Sequence, residues 1–139
     1  MDNRYLYRAK MKNKNEWALG SLVHVTHQDK YYILRHTENE MFEALEECEV
    51  DPSTICQCTG LKDKNGKLIW ENDIVSFLDM YSTENGYSER GCVGKVVWDD
   101  ETISFQVTNR LSAESYEVLD ECLVIGNIFD NPELLEVGE

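Results

Sequence analysis

The sequence predicts a mainly β fold, a small antiparallel barrel or sandwich with little helix. Three observations carry this expectation. Short runs rich in β-branched and aromatic residues recur roughly every ten residues. Turn signals separate them, the strongest being Asp63-Lys64-Asn65-Gly66, because Asn and Gly tolerate the positive φ that tight hairpins require. Residues 61–139 alone supply about five such runs, and with the 3 tryptophans of the chain they suffice for a compact core.

Taken in order, Tyr5 to Met11 alternates large and polar residues, the period-2 mark of a half-buried strand. Lys12 to Asn15 is a polar turn. Trp17 to Val25 forms the second strand, in which Gly20 suggests a bulge or bend. After Gln28-Asp29-Lys30, Tyr31 to Leu34 completes a β-meander. In Thr37 to Val50, Met41, Phe42 and Leu45 make a narrow apolar stripe, which fits a short helix or an acidic loop equally well. Asp51-Pro52-Ser53 punctuates the chain. Lys67 to Trp70 leaves the hairpin turn, Glu71-Asn72-Asp73 turns again, and Ile74 to Phe77 follows. Asp79 to Gly91 reads as a long polar loop, Cys92 to Trp98 and Ile103 to Val107 as paired strands, and Asp120 to Asn127, through Leu123-Val124-Ile125, as the last strand. Asn131-Pro132-Glu133 reads as a capped helical turn with Pro at its first position. Trp70, Ile74, Val75, Val96, Trp98, Phe105, Ile125 and Ile128 are the expected core. An SH3-like barrel, five short strands curled to protect their edges, is the relevant comparison.

Composition bounds the function. With 139 residues, 42% apolar and 29% charged, the chain is of globular type and of one-domain size. No apolar run approaches the roughly 18 residues of a membrane span, and the start MDNRYLYRAK has no hydrophobic signal segment, so a cytoplasmic protein without a membrane partner is expected. A net charge of −14 argues against a direct binder of bulk nucleic acid, which needs cations to displace phosphate counterions. The charge is uneven: residues 1–36 hold 7 bases against 3 acids, and residues 37–139 hold 6 against 24. Five cysteines, an odd number without a signal segment, argue against a disulfide framework. Cys56 and Cys58 would share one strand face, and no second pair stands at zinc-finger spacing, so no metal or cofactor is expected.

Three stretches resemble the YopX family of phage and prophage proteins over nearly the whole chain. YLYRAKMKNKNEWALGSLV is similar to the family's Y-x-F-R-G-K start and W-V-x-G strand, with Ala9 for a usual Gly. VDPSTICQCTGLKDKNGKLIWENDIV resembles V-x-P-x-T-V-x-Q-Y-T-G-L-x-D-K-N-G-K-x-I-x-E-G-D-I-V, with Cys58 for a frequent Tyr and Asn72 for a frequent Gly. LVIGNIFDNPELLE resembles I-G-N-I-x-x-N-P-E-L-L. The resemblance implies an SH3-like barrel, here over residues 56–139, preceded by a β-rich extension over residues 1–55. It implies no established catalytic activity.

The motif residues Gly60, Asp63, Asn65, Gly66, Asp73, Gly126, Asn127, Asn131 and Pro132 are expected to serve structure: turn glycines, side chains closing turns, and caps. The competing expectation is a binding surface gathering Lys62, Asp63, Lys64 and Asn127. Candidate partner-binding residues are Tyr81 and Tyr87, placed beside Trp70 or Trp98. The favoured function is a non-catalytic interaction module of a phage or prophage, docking a host or phage protein in the host bacterium, with self-association also compatible. An acidic nucleic-acid mimic and a carboxylate–metal hydrolase using Asp99, Asp100 and Glu101 are the alternatives.

Overall fold

The computed structural model describes residues 3–36, 45–108, 115–117 and 121–136. The fold is mainly β, with two antiparallel sheets. Two compact units divide the chain, Met1–Cys58 and Thr59–Glu139.

The first unit opens with a 3-10 turn at Asn3–Tyr5, followed by strands β1 (Tyr7–Lys10), β2 (Trp17–Val25), β3 (Lys30–His36) and β4 (Leu45–Val50). Strand β5 (Cys56–Lys62) begins in this unit and continues past its end. The strands lie in the order β4-β3-β2-β1-β5. Leu22, Ile33 and Cys48 sit opposite one another across three strands. Ile33 and Cys48, with Ala9, Met11, Ala18 and Val50, form the core of the unit, against which Tyr7, Leu22, Tyr31 and Ile55 pack. The acidic stretch therefore ends in a strand over Leu45–Val50 rather than in a helix or loop. Cys48 and Val50 alternate inward, and Glu46 meets Arg35 from β3 at 3.2 Å. Met41 and Phe42 lie outside the described residues, and Leu45 is exposed. Nor is there a bulge at Gly20, which pairs in register with Tyr7. Glycine is required there for close approach: a Cβ would run into the Leu34 carbonyl oxygen and meet Ile33 Cγ2 at 3.3 Å.

The second unit contains β6 (Leu68–Trp70), which adjoins β5, and an open sheet of β7 (Asp73–Thr83), β8 (Gly86–Asp99), β9 (Ser104–Thr108), β10 (Ser115–Glu117) and β11 (Leu123–Asn127). A short helix, α1 (Glu133–Glu136), follows. The sheet order is β10-β9-β8-β7-β11, and β10 and β11 are its edges, so the described strands form no closed barrel. Ile69, Val75, Val96, Val107 and Cys122 form the core, backed by Phe77, Phe105 and Val124. Trp70 and Ile74 are buried as expected, while Phe105 and Ile128 are half-buried.

Two expected core residues are exposed. Ile125 is 41% exposed because β11 pairs Val124 with Val75 and Gly126 with Ile74, leaving Ile125 as the extra residue of a bulge. Trp98 is 44% exposed near the end of β8.

The expected loop Asp79 to Gly91 is instead the outer part of a long hairpin. Glu84 and Asn85 form its two-residue turn, and Gly86, at φ 121, receives the chain into β8. Seven residue pairs, from Phe77↔Cys92 to Thr83↔Gly86, continue past Ser76, where the pairing of β7 with β11 stops. On the other side β9 pairs with β8 only from Lys95 to Asp99.

Replacing Gly20 with Ala should destabilise the protein by about 2 kcal/mol, the scale of an overpacked, well-ordered site. A denaturant titration checks this: the midpoint should fall while the slope stays unchanged.

Candidate functional site

The strongest sequence motif folds around one carboxylate. Asp63, 5% exposed, stands between β5 and β6. Its Oδ1 accepts from the backbone N–H of Asn65 and of Lys67, both at 2.9 Å, which closes the turn locally. Its Oδ2 accepts from the N–H of Val124 in β11 at 3.0 Å. The Asp63 N–H donates to Lys67 O at 2.8 Å and that of Lys64 to Cys122 O at 3.1 Å, so backbone and side chain fasten the same junction. Gly60 and Gly66 take φ 81 and 82 on either side, the left-handed conformation that favours glycine. Burial alone would push the Asp63 carboxyl upward. The N–H groups of Val124, Lys67 and Asn65 outweigh it and hold the group below the usual carboxylate value.

The next motif residues tie the neighbouring turns. Asp73, 2% exposed, accepts the Trp70 N–H on Oδ2 at 2.8 Å. Asn72, where a glycine is frequent in the resembling pattern, adopts φ 69, a conformation Asn tolerates. Its N–H donates to Val96 O at 2.8 Å and its carbonyl accepts from Ile128 N–H at 3.0 Å. Asn127 Oδ1 accepts from the N–H groups of Phe129 and Asp130 at 3.0 and 2.9 Å, a side-chain cap over the final turn. Asn131 does not use its side chain to cap α1: Oδ1 reaches back to the Asn127 N–H at 3.2 Å. A Cβ at Gly126 would lie 2.5 Å from that oxygen. Pro132 is exposed at the entry to α1 and accepts from Leu135 N–H at 3.3 Å. Asp63 thus directs both oxygens to backbone, while Lys62 and Lys64 stand exposed beside it.

The proposed quartet of Tyr81, Tyr87, Trp70 and Trp98 does not assemble into one surface. Trp70 is buried, at 5% exposure, and cannot line an exposed face. Tyr87 is 76% exposed, but on β8 it lies eleven residues from Trp98, a distance of roughly 35 Å along a strand. Tyr81 sits in β7 opposite Ser88, and its side chain lies outside the described residues. The exposed apolar groups that sequence reasoning missed include Leu78 and Ile103, 66% and 75% exposed. An isoleucine in the polar turn DDETIS was the available signal for the second.

In that turn Asp100 Oδ1 accepts from the Trp98 indole N–H at 2.9 Å, and Asp99 Oδ1 accepts from the Glu101 N–H at 2.9 Å. Among the described residues, no group of three His, Cys, Asp or Glu side chains is placed to hold a metal. Cys48, Cys56, Cys58, Cys92 and Cys122 are all buried. No described helix is long and apolar enough to cross a membrane.

A family model described as "YopX protein" matches residues 6–136. The chain belongs to the YopX family. Its fold is also similar to the crystal structure of protein EF1440 from Enterococcus faecalis, with a TM-score of 0.54 and 25% sequence identity over 93% of this chain and 96% of that one. No match was found among curated proteins. In this YopX chain the long middle motif and the closing motif meet physically, because Asp63 of one holds Val124 of the other.

Replacing Asp63 with Ala should cost about 3 kcal/mol, since it leaves three N–H groups without their charged acceptor. The depressed folded value also sets the pH dependence. The carboxylate's contribution is complete above about pH 4, the unfolded value, and is lost as pH falls through the lower folded value. Thermal unfolding from pH 7 to pH 2 should therefore show a shallower acid loss in Asp63→Asn than in the native chain.

Proposed function

We propose that this chain is a non-catalytic protein-interaction module, a phage- or prophage-encoded accessory protein that docks a host or phage protein in the cytoplasm of the host bacterium. One observation carries the reading: the β7–β8 ribbon extends seven residue pairs past β11 with large apolar groups in water. Leu78 and Tyr87 on it are 66% and 76% exposed. A two-stranded ribbon is marginally stable by itself in water, and apolar groups on it gain burial when a partner covers them. Asp79 and Arg90 pair across it at 2.9 Å, which helps to hold the strands together. On this reading the second unit is an opened relative of the SH3-like arrangement, with one hairpin lengthened into an arm.

The non-catalytic part of the reading is supported by where the carboxylates go. Asp63 and Asp73 are committed to backbone N–H groups, and Asp99 and Asp100 each give one oxygen to a turn contact. The acidic-mimic reading gains less support, because Glu46 and Glu49 of β4 face Arg35 and Lys12 at 3.2 and 3.4 Å.

Affinity purification of the tagged chain from phage-infected cells tests the module reading. A Leu78→Ser, Tyr87→Ser double variant should lose a reproducible partner at least tenfold while its unfolding midpoint stays within about 2 °C, as for exposed sites generally. Undiminished capture by that variant overturns the role of the ribbon.

A further inference from the structure

The turn from β8 to β9 carries an apolar pair that the sheet does not cover. Trp98 is 44% exposed and Ile103 75% exposed, at the open end of the core row that includes Val96 and Val107. Trp98 is nevertheless held firmly. Its indole N–H donates to Asp100, and Phe105, opposite it in the register, packs edge-on at 5.1 Å with the rings at 73°. An aromatic already fixed in place loses little conformational entropy when something covers it. Ile103 adopts φ 53, a conformation that suits Asn or Gly and disfavours a β-branched side chain. The turn's own geometry therefore does not call for isoleucine. Between the two in the chain stand Asp99, Asp100 and Glu101 in succession, and among the described residues none of them forms an ion pair.

We propose that this turn is a docking patch for a cationic segment of a partner protein, with Trp98 and Ile103 receiving an apolar anchor and Asp99, Asp100 and Glu101 facing flanking Lys or Arg. The assignment of charge follows from complementarity: a turn that carries two exposed apolar groups and three successive carboxylates favours a basic rim on whatever covers it and repels an acidic one. Arginine suits the site further, because a guanidinium stacks on an indole face. The patch lies at the opposite end of β8 from Tyr87, so it is a second contact surface. The inference rests on the reading of the chain as an interaction module, and names the partner chemistry.

The test uses the full-length, 15N-labelled chain and the synthetic peptide Lys-Arg-Leu-Phe-Arg-Lys. The Trp98 indole N–H resonance, assigned by its loss in Trp98→Phe, is the readout. A saturable shift is expected with this peptide, weakened at least fivefold when Leu-Phe is replaced by Gly-Ser or the four basic residues by Glu. Raising the salt from about 0.05 to about 0.5 M should weaken it at least threefold, since exposed charges are screened. Ile103→Asn should bind at least fivefold more weakly while unfolding no earlier than the native chain, because Asn tolerates the turn conformation. No shift at about 1 mM peptide, a concentration that registers even weak association, overturns the proposal. So does equal binding by Ile103→Asn or by the Glu peptide. A shift driven by the chain's own concentration, without peptide, assigns the patch to a second copy and overturns the cationic partner. Failure here leaves the ribbon's capture result intact, whereas failure of the module reading appears as capture undiminished by the ribbon variant.

Discussion

The Asp63 carboxylate is the constraint on which the second unit depends. A buried carboxylate without partners would cost several kcal/mol, yet this one is only 5% exposed. It is tolerated because three backbone N–H groups point at it, two from its own turn and one from β11, 61 residues later. Hydrogen bonds to a charged acceptor contribute about 1.5–3 kcal/mol each, so the three together offset the desolvation. The geometry of the junction is therefore strictly specified: β11 enters the unit at the one position that completes the set.

The same logic extends through the neighbouring turns. Asp73, Asn72, Asn127 and Asn131 each direct a polar group to a backbone partner, so these joints are held by specific hydrogen bonds as well as by apolar packing. The fully buried part of the apolar core they frame is built from isoleucine and valine, with Phe77 and Phe105 packed against it. Two features stand outside this frame, the outer β7–β8 ribbon and the Trp98–Ile103 turn. Both present large apolar groups to water, the most exposed of the second unit among the described residues.

Much of the strand pattern was legible because local chemistry decides it. Asp63-Lys64-Asn65-Gly66 announces its turn, and Trp17 to Val25 reads as a strand by composition alone. The second hairpin carried the same kind of announcement in Asn85-Gly86, but Ser82-Thr83 before it and Ser88-Glu89-Arg90 after it are polar and lack the alternation that marks an ordinary strand. Leu45–Val50 was obscured by its glutamates, whose neighbours Arg35 and Lys12 come from distant parts of the sequence. Ile125 could not be placed because the bulge that turns it outward is a property of the pairing with β7. The third acceptor contact of Asp63 is hidden for the same reason: nothing near residue 124 signals that its N–H will meet a carboxylate. As for the site, exposed Tyr87 was visible in the sequence, whereas its separation from Trp98 depends on both lying on one continuous strand.

The long hairpin also has a consequence for the order of events as the chain folds. Its contacts grow outward from a two-residue turn, so each new pair closes almost no additional loop and little chain entropy is lost per contact. Hairpins of this kind form in microseconds, well ahead of pairings between distant segments. By contrast, β11 must find β7 across some fifty residues. The ribbon is thus suited to act as the template on which β9 and β11 later align, and the segment that runs on beyond β11 in the finished sheet is the one best placed to organise the chain first.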